Sequence, residues 1–146
     1  MTRTGDGLPP APGDLAAVKR ALRAEMVARR RGLDPAVLAA AHRAAAAHFL
    51  ATLDPPAGTV VAAYWATAEE FDAGPLIEAL LERGCIVALP VVERRNAPLL
   101  FRRWRSGEPL VPAGFGLKVP DPAAPVAVPE LLAVPLLAFD AAGYRL

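Results

Sequence analysis

The sequence is short of the residues that usually announce chemistry. Its single cysteine, Cys85, cannot close a disulfide within the chain, which suits a reducing compartment, and a cytoplasmic location is expected. Only two histidines occur, His42 and His48, six apart where a helix-borne metal pair needs a spacing of four, so no bound zinc is expected. There is no Walker-type loop, no nucleophile elbow and no Gly-x-Gly-x-x-Gly; "GFGLKVP" holds a Gly-x-Gly, but it lies between prolines and opens no helix. No apolar stretch approaches the ~18–20 residues of a membrane span. The opening "MTRTGDGLPPAPGD" has no apolar core of the secretory type. A net charge of +1 exerts no global pull on polyanions. Nucleic acid and membrane are therefore not expected partners.

What the chain does have is apolar content and regular punctuation. More than half of its 146 residues are apolar, which argues against disorder, and the length suffices for one sizeable core. Residues 14–31 read as a helix with Asp14 as N-cap, a stripe of Leu15, Val18, Leu22 and Met26, and Gly32 as its stop. Asp34-Pro35 opens a second, Ala-rich helix reaching Leu53, with Leu38, Ala41, Ala45 and Phe49 facing inward. "TVVAAYW" (59–65) reads as a buried strand, residues 73–83 as a helix closed by Gly84, and "CIVALPVV" as the next strand. Strand, helix and strand within about thirty residues make a βαβ unit with a right-handed crossover. "PLLFRRW" (98–104) and "LLAVPLLAF" (131–139) read as further strands, and the Pro- and Gly-rich stretch between them as a long surface loop. Cys85 opens an apolar strand and reads as a small core residue.

Three features could carry function. The loop "YWATAEEFDAG" leaves the first strand of the βαβ unit, where open α/β sheets place their ligands. It sets Glu69, Glu70 and Asp72 beside Trp65, so that carboxylates could accept a ligand's N–H groups while an aromatic stacks on a flat ring. The competing reading is local: Asp72 is placed as a helix N-cap, and Thr67 to Glu70 has the spacing of a capping box. Lys19 and Arg23, four apart, share a helix face and suit two phosphate oxygens, or are simply solvated. They belong to a basic segment, residues 1–31, with seven basic residues against three acidic, which leaves nucleic-acid binding as a lesser alternative. Trp104 reads on its own as a packing residue at a sheet edge.

The ordered segments "KRALR", "AAYWATAEEFDAGPLIEALLERGCIVALPVV", "LLFRRW", "FGLKVP" and "VPLLAFDAAGYRL" resemble the 5-formyltetrahydrofolate cyclo-ligases (5,10-methenyltetrahydrofolate synthetases) over most of residues 19–146. The resemblance implies an α/β fold: a single-domain, three-layer, Rossmann-like and mostly parallel sheet with two N-terminal helices, over residues 14–146 after a flexible leader, 1–13. It implies an enzyme that uses MgATP to cyclise 5-formyltetrahydrofolate to 5,10-methenyltetrahydrofolate with release of ADP and phosphate. Lys19 and Arg23 match the family's N-terminal basic pair for ATP, and Arg145 matches the start of its C-terminal ATP segment. Trp65 and Glu70 match the folate-contacting loop, and Trp104 an aromatic near the folate. On this basis Glu70 is expected to contact ligand, and Asp72 to cap the helix.

Departures from the family pattern are Asp72-Ala73 in place of the usual acidic residue and Thr, and Val119 in place of a Glu before Pro120. The chain also stops at Leu146, where the family continues into a Gly-rich phosphate loop. Impaired turnover is therefore expected, with a non-catalytic reduced-folate-binding module as the alternative. The protein is expected to be a monomer or weak dimer, with a cationic helix and an acid-bearing loop converging at the open end of the sheet.

Overall fold

The computed structural model describes residues 12–68, 70–94 and 96–146. The expected leader lies outside the described residues as far as position 11; Pro12 and Gly13 already belong to the first helix. The chain divides into two compact units, one of residues 34–136 and one of residues 1–33 with 137–146.

The larger unit is built on a four-stranded sheet in the order β3-β2-β1-β6. Helix α2 (Pro35–Leu53) precedes β1 (Val60–Ala62), and α3 (Gly74–Glu82) leads to β2 (Ile86–Val91). β3 (Leu100–Arg103) follows, then the pair β4 (Leu110–Pro112) and β5 (Lys118–Pro120), and finally β6 (Leu131–Leu132). β1 pairs parallel with both β2 and β6, whereas β3 runs antiparallel along β2. The mostly parallel α/β sheet and the βαβ unit are thus as expected.

Local chemistry sets the element ends. Asp34 accepts the Ala36 amide at 2.7 Å with Pro35 at the first helical position, the N-cap that the dipeptide predicts. At the far end Asp54 takes a left-handed conformation (φ 42°), its amide bonds Leu50 O, and its carboxylate pairs with Arg83, whose Nε donates to Pro55 O at 2.8 Å. Gly84 turns the chain from α3 into β2 with φ +80°, a conformation that disfavours any side chain.

The core lies where α3 and α2 meet the sheet. Leu80, Val61, Val87 and Leu89 are fully enclosed, and Leu76, Ile77 and Ala46 pack with them. The inward face of α2 is offset from the expected one: Ala41 and Ala45 are exposed, while His42, Ala46, Phe49 and Leu50 turn inward. An alanine-rich helix carries little directional information, and the larger Phe49 and Leu50 set the face. By length and composition alone α2 is long and apolar enough to cross a bilayer, which corrects the expectation that no apolar stretch approaches that length. It bears Arg43 and two histidines, and packs on the core through Ala46, Phe49 and Leu50.

Two further expectations need correction. The supposed surface loop contains the β4–β5 hairpin, with Val111 opposite Val119. Pro112 and Pro120 end its strands, positions where a missing N–H costs little. Conversely the nine-residue closing strand shrinks to Leu131–Leu132, extended only by the Ala133 amide bonding Ala62 O at 2.8 Å. β1 offers three residues to pair with, and Pro135 has no N–H to give.

Cys85 is buried at the start of β2, its thiol 3.6 Å from Pro56 O. Burial pushes the thiol pKa up, partly opposed by the Arg83 charge. The protonated thiol is therefore favoured by the fold, a contribution present below the ordinary thiol range and lost as pH rises through the elevated value.

In the smaller unit α1 (Pro12–Arg31) starts two residues before the expected N-cap, so Asp14 sits in its first turn instead, favourably placed against the helix dipole. Its apolar stripe forms, but Leu15, Val18 and Leu22 are exposed. The last ten residues fold into a small hairpin: Phe139 bridges Arg145, and Asp140 Oδ1 accepts the amides of Ala142 and Tyr144 at 2.9 and 3.0 Å. Arg30 Nη2 holds it to the helix through Leu137 O at 3.0 Å.

Leu80→Ala, which empties a fully enclosed site, is expected to cost about 2–5 kcal/mol in urea unfolding. Val128→Ala, at a position 84% exposed, is expected to stay within ~0.5 kcal/mol of the parent. Similar costs for the two would contradict this core.

Candidate functional site

Because β1, β2 and β6 are parallel, their C-terminal ends lie together, and the loops 63–73, 92–99 and 133–136 open at the same end of the sheet. This is the side where α/β sheets of this kind receive ligands. The loop 63–73 leaves β1 under tight control. The Ala63 amide bonds Ala88 O at 3.0 Å, prolonging the ladder, and Tyr64 Oη donates to Phe71 O at 2.6 Å, tying the two ends of the loop together. Phe71 in turn meets His42 of α2 edge-to-face, ring centres 4.3 Å apart.

Within that frame Glu70 does what the capping-box spacing suggested. Its Oε2 accepts the Thr67 amide at 2.8 Å, and its own amide donates to Thr67 O at 3.1 Å. No helix follows directly, so the pair closes a turn. The ligand-contact expectation therefore has to share the carboxylate: Oε2 is engaged locally, and Oε1 has no partner among the described residues. Asp72 Oδ1 accepts the Gly74 amide at 2.8 Å at the start of α3, but the N-cap itself is Ala73, so Asp72 stands one position before the cap expected of it. Glu69 lies outside the described residues.

Trp65 and Trp104, 39 positions apart in sequence, come together. Their rings meet edge-to-face with centres 5.3 Å apart. Trp65 is 37% exposed; Trp104 is 8% exposed, and its Nε1 donates to Glu108 O at 3.0 Å. The packing reading of Trp104 is thus what the geometry displays. Its backbone sits at the other end of the sheet, where its amide bonds Val87 O at 3.0 Å. A three-residue β1 spans only about 10 Å, so the large rings can still meet.

In the smaller unit Lys19 and Arg23 are exposed on α1, and neither has a hydrogen-bond or ion-pair partner among the described residues. Arg30 lies on nearly the same face, two turns beyond Arg23 or about 10 Å along the axis, and carries the terminal hairpin that includes Arg145. Arg30 was not singled out in the sequence. The seven-residue spacing from Arg23 would have shown the shared face, but not the hairpin it holds. Among the described residues no three His, Cys, Asp or Glu are grouped to hold a metal ion.

The sequence model of the 5-formyltetrahydrofolate cyclo-ligase family matches residues 15–146. The chain belongs to that family. It is 37% identical over 97 residues to a 5-formyltetrahydrofolate cyclo-ligase of Mycolicibacterium smegmatis, an alignment covering 61% of this chain and 50% of the relative. The chain thus spans about half the length of that curated relative. Its fold is similar to the NMR structure of Aquifex aeolicus 5,10-methenyltetrahydrofolate synthetase, with a TM-score of 0.73 and 26% identity over 88% of this chain and 66% of the other. The family resemblance and the α/β fold expected from it are both established by these matches.

Removing the Tyr64 hydroxyl (Tyr64→Phe) is expected to cost about 0.5–1.5 kcal/mol and to speed amide exchange at Thr67 and Glu70. Unchanged exchange at both amides would show that the loop is not held by this bond.

Proposed function

We propose that the chain carries the folate- and nucleotide-binding chemistry of a 5-formyltetrahydrofolate cyclo-ligase, closing 5-formyltetrahydrofolate to 5,10-methenyltetrahydrofolate at the expense of ATP. The observation that carries the reading is the loop after β1: a half-exposed indole and one unpartnered carboxylate oxygen, Glu70 Oε1, held by a closed turn at the ligand-receiving end of the sheet. A reduced pterin offers a flat ring and several N–H donors, and this pair of groups is complementary to both.

On this reading Trp65 stacks on the pterin, Glu70 Oε1 accepts from its N–H groups, and Trp104 acts by bracing Trp65 edge-on. The local bond from Thr67 fixes the carboxylate before ligand arrives, so that little side-chain freedom is lost on binding. Lys19, Arg23 and Arg145 bind the phosphates of ATP; the first two are exposed cations with no ion-pair partner among the described residues. MgATP, when bound, supplies the phosphoryl group that turns a poor leaving group, the formyl oxygen, into a good one. The protein's contribution is placement and charge balance, which dominate phosphoryl transfer. Magnesium ordinarily rides on nucleotide oxygens with few protein ligands, and no residue of this chain is assigned to it.

The test is the rise of the methenyl product's near-ultraviolet absorbance when protein, MgATP and 5-formyltetrahydrofolate are mixed. Glu70→Gln is expected to weaken 5-formyltetrahydrofolate binding, measured by calorimetry, about 10- to 100-fold, the loss of a charge-assisted hydrogen bond. Lys19→Gln is expected to weaken ATP and leave folate affinity unchanged. Folate binding that is indifferent to nucleotide, without turnover, would favour the non-catalytic binding module. Folate affinity untouched by Glu70→Gln would overturn the assignment of the loop.

A further inference from the structure

At the opposite end of the sheet from that loop, a second place is furnished for a ligand. Two clefts, of about 390 and 210 Å³, flank the strip Arg103-Trp104-Arg105, which lines both of them. The larger is of the size that takes a small organic ligand. Its other walls include Pro109, Pro120 and Pro125, which present flat apolar surface and no N–H donors. Trp104 cannot swing away, since its Nε1 is bonded to Glu108 O.

The charges in these walls are unevenly satisfied. Arg102, on the alternate face of β3, is fully employed: Nη1 donates to Ala124 O at 2.7 Å and Nη2 lies 3.5 Å from Glu93. The half-buried side chain of Arg103 has no partner among the described residues, and its Nε is shielded from solvent with no acceptor. Arg105 likewise engages only through its backbone, its amide donating to Glu108 Oε2 at 3.0 Å. The two carboxylates in the wall keep their charge but bond local amides rather than either guanidinium: Glu108 that of Arg105, and Asp121 that of Ala123 at 2.7 Å. A guanidinium partly withdrawn from water and left without a contacting acceptor is unfavourable, and a docked anion that bonds it directly offsets that cost.

We propose that the larger cleft binds an aromatic carboxylate, its carboxylate on the guanidinium of Arg103 with Arg105 in support, and its ring between Trp104 and the proline walls. The site uses neither Trp65 nor Glu70; it shares Trp104, the brace of Trp65, with the folate reading but does not rest on that reading.

Calorimetry of the full chain with 2-naphthoate, and with the neutral 2-naphthalenemethanol as its isostere, decides the matter. Naphthoate is expected to bind at least about tenfold more tightly than the alcohol, as a charge-assisted pair requires. Arg103→Gln is expected to remove that preference, and Glu70→Gln to leave it intact. Equal affinity for the two probes, or binding of neither, overturns the proposal on the unaltered protein alone, even if Arg103→Gln does not fold. A naphthoate preference that survives Arg103→Gln, or disappears in Glu70→Gln, places the anion elsewhere and overturns it as well.

Discussion

Everything at the candidate site is referred to three residues of backbone. β1 is paired on both sides: the Ile86 amide bonds Thr59 O and the Ala63 amide bonds Ala88 O on one flank, while Glu130 and Ala133 amides bond Val60 O and Ala62 O on the other. Glu130 adds its side chain, Oε1 accepting the Val60 amide at 3.0 Å. Val61 and Ala62 are essentially without solvent exposure. A strand held by hydrogen bonds along both edges and by the core across its faces cannot shift register without losing all of them. The loop it launches therefore starts from a defined point, and Tyr64, Thr67 and Glu70 need only three local bonds to complete it.

The larger unit divides its labour between scaffold and loop. The scaffold carries the burial, with Leu80, Val87 and Leu89 enclosed behind it, and the polar groups of the loop remain at the surface. Glu70 spends one oxygen on the turn and keeps the other, so a single carboxylate both shapes the loop and offers an acceptor. The cations expected to serve phosphate belong to a different compact unit, in which α1 and the terminal hairpin are joined through Arg30 and Leu137.

Much of this was legible in sequence where the signals are local. Asp34-Pro35 marks the start of α2, Gly84 marks the end of α3, and the spacing from Thr67 to Glu70 marks the bond that closes the loop. The errors share a cause. Alanines at 41 and 45 weigh no more than their neighbours, so the inward face of α2 had to be decided by tertiary packing of Phe49 and Leu50. Proline content concealed the β4–β5 hairpin, because prolines at strand ends are harmless while prolines in a composition count look disruptive. β6 ended early because its length is set by its partner β1. The meeting of Trp65 with Trp104, the shielding of Arg103 Nε with no acceptor among the described residues, and the hold of Arg30 on the tail depend on contacts distant in sequence, which no spacing rule reports.

The central claim is that the loop after β1 is preformed and receives the reduced folate. Backbone and indole N–H nuclear magnetic resonance shifts recorded as 5-formyltetrahydrofolate is added test it most directly. The account predicts shifts at the Trp65 indole and at the amides of residues 64–73, with the Thr67 amide protected from exchange before ligand is added. Shifts confined to other parts of the chain, or a Thr67 amide that exchanges freely until ligand arrives, would contradict it.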